Sequence, residues 1–380
     1  MDLTGRETDH RNTDLWKLNL DVVRRKTGKI LWQPRIGCWY EDKAFLKTTL
    51  PGRFSGLDLA GIYRELGVSN RVYQYSKCFR YVPDPRVRME TIEHSPLMYE
   101  QIMHTPKGNL NLIQLRNTSN PGRFPKKWWI TCEEEMEIHR WVLETGTWEW
   151  DQAEYDRIRG EWGFAGAPNM WLPRTTVLGL LYDTMGTENG IFSLYDYPEA
   201  VGKYFAAMNE NHDRLIDLVV SSPVEIVNFG DNIHSSILTP DLFKKYVLPA
   251  YQHCNDRLHR AGKFTSSHWD GNVGPLLPYA KSCGLDGIEA VTPLPQGDVT
   301  LWEVKKAFGD SLFLMDGLAA LLFDDSLYPA EMLLQQAREC IDLFAGQLIL
   351  GISDEMPSRG DLERIDLVTR MVDEYNASVV

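Results

Sequence analysis

The chain has 380 residues, 43% hydrophobic and 24% charged, the proportions of an ordinary globular protein rather than a disordered or fibrous one. Its 40 Lys+Arg against 53 Asp+Glu leave a net charge of −13. That balance speaks against general binding to nucleic acid or to an anionic membrane surface, both of which need basic faces.

Six scattered cysteines, Cys38, Cys78, Cys132, Cys254, Cys283 and Cys340, form no CxxC pair, unlike a disulfide framework or a Cys-rich zinc module. No apolar run reaches the roughly 18 residues of a membrane span. The first twenty residues are polar and charged, without the pattern of a signal peptide, so a cytoplasmic protein is expected. One count stands out. Of 12 Trp, ten precede residue 172. Trp is first a packing residue, but as a group these side chains suit the wall of a pocket for an aromatic or methylated ligand.

In chain order, 30–37 reads as a first strand. Residues 71–130 read as strands and turns, with a turn at Thr105-Pro106-Lys107-Gly108-Asn109, and carry 10 Lys+Arg against 4 Asp+Glu. We expect this basic stretch to be a β-hairpin insertion that caps one end of the domain. Residues 167–173 read as a further strand. From 197 onward helices and strands alternate: helix 197–221, strand 224–229, a helix opened by Thr239-Pro240 as N-cap and first turn, strand 263–269, helix 275–284, strand 287–292, helix 300–309, strand 311–317, helix 329–346, strand 347–353 and a last helix over 361–376. Such alternation implies parallel strands with crossover helices. Seven or eight strands of this style predict a (β/α)₈ TIM barrel with an N-terminal extension, one domain over 1–380 with 71–130 inserted. No GxGxxG follows an early strand, which removes the best cue for a doubly wound dinucleotide fold.

In a barrel the chemistry sits at the C-terminal ends of the strands. The predicted strands end at Asn228 to Asn232, at His268-Trp269-Asp270, at Thr292-Pro293 with Glu289 carried within the strand, at Asp316-Gly317 and at Ser353-Asp354-Glu355. Loops are polar and any one Asp is an ordinary turn residue, but five strands bring carboxylates to one rim and one brings a histidine. An imidazole with two or three carboxylates suits zinc or another divalent metal. His268 and Asp270, at i and i+2, fall on one side of an extended segment. The expected ligands are His268 and Glu355, with Asp270 or Glu289 as third. Asp231, His234, Glu289 and Asp354 are the expected catalytic groups, with Asp231 and His234 facing substrate or backing the site. Asn228, Trp39, Trp171 and Trp269 are expected to line the substrate pocket.

Three stretches carry a resemblance to a known family: Asn228–Tyr251 (NFGDNIHSSILTPDLFKKYVLPAY), Ser267–Asn272 (SHWDGN) and Leu348–Pro357 (LILGISDEMP) followed by GDLERI. With the Thr105-Pro106-Lys107-Gly108 turn, they resemble the uroporphyrinogen decarboxylase superfamily in its corrinoid-dependent methyltransferase branch, over about residues 30–375. SHWDGN sits where that branch has a His-x-Cys-Gly-Asn zinc element, and Ser353-Asp354-Glu355 where it has a last Cys ligand. Here oxygen replaces both thiolates, which leaves a bound metal the stronger Lewis acid and favours activation of a leaving group. The resemblance therefore implies an O-demethylase. It would move a methyl group from a small methylated substrate, a methoxylated aromatic first of all, to the Co(I) corrinoid of a partner protein. The chain itself has no Asp-x-His-x-x-Gly cobalamin motif. Two other readings stay open. One is a metal-free decarboxylase of the superfamily, in which Asp231 or Asp354 protonates carbon and Arg35, Arg174 and the basic insertion clamp carboxylates. The other is a non-catalytic ligand-binding barrel. The oligomeric state is left open.

Overall fold

The computed structural model describes residues 14–379. Among the described residues there are thirteen strands: β1 (Leu31–Gln33), β2 (Phe79–Val82), β3 (Arg88–Ser95), β4 (Met98–Thr105), β5 (Gly108–Arg116), β6 (Arg123–Lys127), β7 (Thr147–Trp150), β8 (Asn169–Leu172), β9 (Ile226–Ile233), β10 (Phe264–Trp269), β11 (Gly287–Glu289), β12 (Phe313–Ala319) and β13 (Leu348–Ser353). Seven of them form one curled parallel sheet in the order β1-β13-β12-β11-β10-β9-β8. Helices follow the strands and cover the outside, so β9, β10, β12 and β13 are buried along nearly their whole length, on both faces.

The sheet is a barrel-like α/β arrangement in which β1 and β8 do not pair with each other. Between these two edges runs the segment before Tyr73. Ser69 N–H donates to Trp32 O, Asn70 N–H donates to Ala165 O, and Val72 forms an isolated parallel bridge with Pro168. The insertion expected over 71–130 is shorter than that. The structure instead starts the separate antiparallel sheet, in the order β3-β4-β5-β6, at Arg88 and ends it at Lys127. Arg71 is 5% exposed and points into the parallel sheet, because the bonds of Ser69 and Asn70 thread its backbone between the two edges.

Inside the sheet lie two layers. At the N-terminal end, Leu31, Ile226, Phe264, Phe313, Met315 and Ile349 form an apolar plug, closed from below by Val22 and Val23 of helix Leu15–Val23. Toward the C-terminal end, Gln33, Asn228, Ser266, His268, Glu289 and Asp316 make a buried polar layer. The helix after β9 begins as expected, with Thr239 as N-cap accepting from Leu242 N–H and Pro240 in the first turn. The expected helix over 275–284 is a 3₁₀ helix, Gly274–Cys283, with Pro278 inside it. Proline lacks the N–H that an α ladder would need there.

The first strand is shorter than expected. β1 stops at Gln33, and Gly37–Phe45 is helical. That displaces Trp39, which is 2% exposed and donates its indole N–H to Gly360 O. Trp39 is therefore a core residue and not a pocket wall.

Candidate active site

The polar layer is organised around Glu289, at the end of β11 and fully buried. Its Oε1 accepts from Tyr73 OH at 2.7 Å, and Arg71 Nη1 makes a close ion pair with the same oxygen. Its Oε2 accepts from Asn228 Nδ2 at 2.8 Å and lies 3.0 Å from His268 Nδ1. Burial opposes ionisation of Glu289, but the charges of Arg71 and Arg35 and the bond to His268 outweigh it and hold the carboxyl well below the usual range.

Arg71 is shared with Asp316 through Nη2–Oδ1 at 3.0 Å and Nη1–Oδ2 at 3.2 Å, and its Nε donates to Gln33 Oε1 at 3.3 Å. The period of two on β12 turns Phe313 and Met315 toward the plug and would turn Asp316 the other way. The backbone at Asp316 is left-handed, φ 84°, as it is at Ala290, φ 64°. These are strained conformations for non-glycine residues. The twist brings the Asp316 carboxylate to Arg71 and to Ala290 N–H at 3.2 Å.

Toward the opening, His268, Asp270 and Asp354 place one ligand atom each within 4.8 Å of one another. His268 is 1% exposed. Its Nε2 lies 3.3 Å from Asp354 Oδ1, and that same oxygen lies 2.6 Å from Arg35 Nη1. Asp354 Oδ1 is buried yet accepts no aligned hydrogen bond among the described residues. Burial pushes the Asp270 carboxyl up, and nearby Asp354 adds to the effect. Glu355, proposed from sequence as a ligand, is not in this group. It turns to Arg35 Nε at 3.3 Å and to Cys38 N–H at 3.3 Å.

The residues present fit a divalent cation. A carboxylate on the Nδ1 side of a histidine fixes the tautomer that leaves Nε2 free as a donor, two carboxylates stand beside that nitrogen, and a buried carboxylate oxygen there lacks a hydrogen bond. The donors are nitrogen and oxygen, suited to zinc, manganese or a similar ion rather than to a soft metal.

The other expected site residues are placed as follows. Trp171 lies in the site, its ring centroid 5.0 Å from that of His268 and 5.0 Å from that of Tyr73. A Cβ on Gly230 would fall 1.8 Å from the Trp171 indole nitrogen, so a glycine is needed there for the indole to pack against β9. Trp269 is turned outward, fully buried against Phe243 of the helix layer at 5.5 Å, because residues adjacent on a strand face opposite ways. Asn228 is buried and bonds Glu289 and Ser266.

Asp231 is fully buried and accepts from Thr175 N–H at 2.7 Å, Thr175 Oγ1 at 3.1 Å and Tyr251 OH at 2.6 Å. Burial raises it to about 6 against the pull of those three donors. With its bonds directed at Thr175 and Tyr251, it ties the loop after β8 to the helix layer. His234 accepts from Ser236 N–H at 3.1 Å and packs against Gly271. Arg174 pairs with Asp183 at 2.5 Å, at the rim. Sequence reasoning missed Arg71 and Tyr73. Both lie in a polar, basic stretch whose local pattern marks neither of them.

The family model described as Uroporphyrinogen decarboxylase (URO-D) matches residues 162–375, more than half of the chain. No curated protein matches. Among solved structures, a D-psicose 3-epimerase in the presence of D-fructose is similar at 9% identity and TM-score 0.29, over 60% of this chain and 84% of that one. A structure concerning inhibition of the pneumococcal virulence factor StrH and N-glycan recognition and hydrolysis is similar at 15% identity and TM-score 0.26, over 59% of this chain and 63% of that one. Overlaps this small carry no argument about the site.

Proposed function

The chain belongs to the uroporphyrinogen decarboxylase family, and from that premise we propose that it is a methyltransferase which holds a divalent metal, zinc or a similar ion, on His268, Asp270 and Asp354. Its methyl donor is a small methylated compound, in the first place a methoxylated aromatic, and its acceptor is the corrinoid of a partner protein. The observation that carries the reading is the Glu289–His268 pair, 3.0 Å from Oε2 to Nδ1, which leaves Nε2 grouped with the two carboxylates.

A metal bound there supplies Lewis acidity at the leaving oxygen of an ether. The chain's own residues do the rest. Glu289 fixes the imidazole. Arg71 holds Glu289 and Asp316 as counter-ion. Trp171 and Tyr73, one edge-on to the other, give an aromatic donor an apolar wall next to His268. In this reading the corrinoid contributes the nucleophile and the chain contributes orientation and electrostatics.

The charge of the site favours this reading over a decarboxylase. Among the described residues, Glu289, Asp316, Asp354 and Glu355 pair with Arg35, Arg71 and His268, and Asp270 stands beside Asp354 and His268, so five carboxylates share two arginines. A decarboxylase needs cations for the carboxylates of its substrate, and both arginines are already engaged by carboxylates of the chain. An acid-rich site receives a cation instead.

Metal analysis of the purified protein tests the proposal. One equivalent of a divalent metal, lost together with methyl transfer on chelation, is expected. Less than about 0.2 equivalents of any metal, with activity intact after chelation, overturns it.

A further inference from the structure

We infer that Arg35 is the resident counter-ion of the ligand group and exchanges with the metal, moving its hold from Asp354 to Glu355 when a divalent cation binds; this rests on the metal reading above. Arg35 stands among four carboxylates. Nη1 lies 2.6 Å from Asp354 Oδ1, 3.7 Å from Glu289 Oε1 and 3.7 Å from Asp316 Oδ2, while Nε lies 3.3 Å from Glu355 Oε1. The Asp354 oxygen that it touches is the same atom that faces His268 Nε2. One buried oxygen thus serves two positions, arginine partner and member of the ligand group.

Three features point to exchange rather than to a permanent ion pair. First, the contact is close but unaligned, since neither Asp354 Oδ1 nor Arg35 Nη1 has a hydrogen bond among the described residues. A lasting arginine–carboxylate pair is usually forked and aligned. Second, a divalent cation on that oxygen, itself buried, would press like charge against the guanidinium 2.6 Å away. Third, Arg35 has somewhere to go. Glu355 is next in the chain, outside the ligand group, and already contacts Nε. Glu289 and Asp316 remain within reach of Nη1, so the guanidinium stays compensated after it leaves Asp354. The sequence expectation of Glu355 as a metal ligand thereby becomes a different role, that of receiver for the displaced arginine. Arg35 and Glu355 are positioning residues here, acting on the metal through Asp354.

The test is zinc titration of the full chain by calorimetry, with His268→Ala as control and Arg35→Gln, Glu355→Gln and the double variant as probes. Arg35→Gln is expected to bind zinc about tenfold more tightly and Glu355→Gln about tenfold more weakly, on the scale of residues that back metal ligands. In the Arg35→Gln background, Glu355→Gln is expected to have no further effect, because there is no arginine left to receive. If Arg35→Gln fails to fold, Arg35→Lys, too short to span Asp354 and Glu355, is expected to tighten binding in the same direction. Unchanged or weaker binding in the Arg35 variant overturns the exchange. A Glu355→Gln loss that persists in the double variant makes Glu355 a direct ligand and also overturns it. If wild type binds no zinc, or binds it equally well as His268→Ala, the metal reading fails and the exchange falls with it. Zinc lost in His268→Ala but indifferent to Arg35 sinks the exchange alone.

Discussion

His268 and Glu289 stand opposite each other on neighbouring parallel strands, β10 and β11, and their side chains meet at 3.0 Å. The ladder itself sets this contact, so the imidazole is aimed by backbone register and not by a loop. A site built on strands is held more closely than one built on loops.

Glu289→Gln keeps the shape but loses the charge that fixes the His268 tautomer. Zinc affinity is expected to fall about 10–100-fold, the range for a partner behind a metal ligand. Glu289→Ala strands Arg71 as well. It is expected to cost about 3–5 kcal/mol of folding stability, as breaking a buried ion pair does, read from denaturant unfolding. Equal zinc binding in wild type and Glu289→Gln would contradict the role given to the pair.

Tyr73 donates to the same carboxylate at 2.7 Å. Tyr73→Phe removes one bond to a charged acceptor, and the expected loss is about 1.5–3 kcal/mol by urea unfolding. A change below the error of the measurement would mean that Tyr73 OH is not held by Glu289 in solution.

Asp231 yields a pH dependence with a defined sign. Its native pKa, about 6, lies above an unfolded value of roughly 3.9, so the folded state binds its proton more tightly. The stability from this group is complete below the unfolded pKa and is lost as pH rises through the native one. Wild type is expected to lose on the order of 3 kcal/mol between about pH 4 and 6 from this residue, and Asp231→Asn to flatten that window. Parallel unfolding free energies for the two proteins from pH 4 to 7 would count against it.

Two tryptophans separate packing from binding. Trp39→Ala empties a core position and is expected to cost about 3–5 kcal/mol while leaving affinity for methoxylated benzenes unchanged in the protein that remains folded. Trp171→Ala, next to His268, is expected to weaken that affinity with a smaller loss of stability. The reverse pattern in paired binding and unfolding measurements would move the pocket wall to Trp39.

Much of the architecture was legible along the chain because the relevant physics is local. The period of helices and strands from residue 197 onward, the Thr239-Pro240 start and the strand-end placement of His268, Asp270, Asp316 and Asp354 follow from side-chain periodicity and from a general rule about barrels, whereas β11 ends at Glu289, earlier than the strand expected to Thr292. Adjacent positions on a strand were harder. Trp269 turned outward beside an inward His268, and the twist at Asp316 overrode the alternation that a regular strand would keep.

The repeated strand and helix pattern, the family, and the carboxylates and histidine able to reach one rim can all be read along the chain. That Arg71 and Tyr73 enter that rim, that Trp39 does not, and that Asp354 rather than its neighbour Glu355 faces His268 follows only from the folded arrangement. The reason is separation along the chain. Arg71 meets Glu289 across 218 positions and Arg35 meets Asp354 from the opposite end of the chain, and no local pattern encodes a pairing that exists only once the sheet has curled.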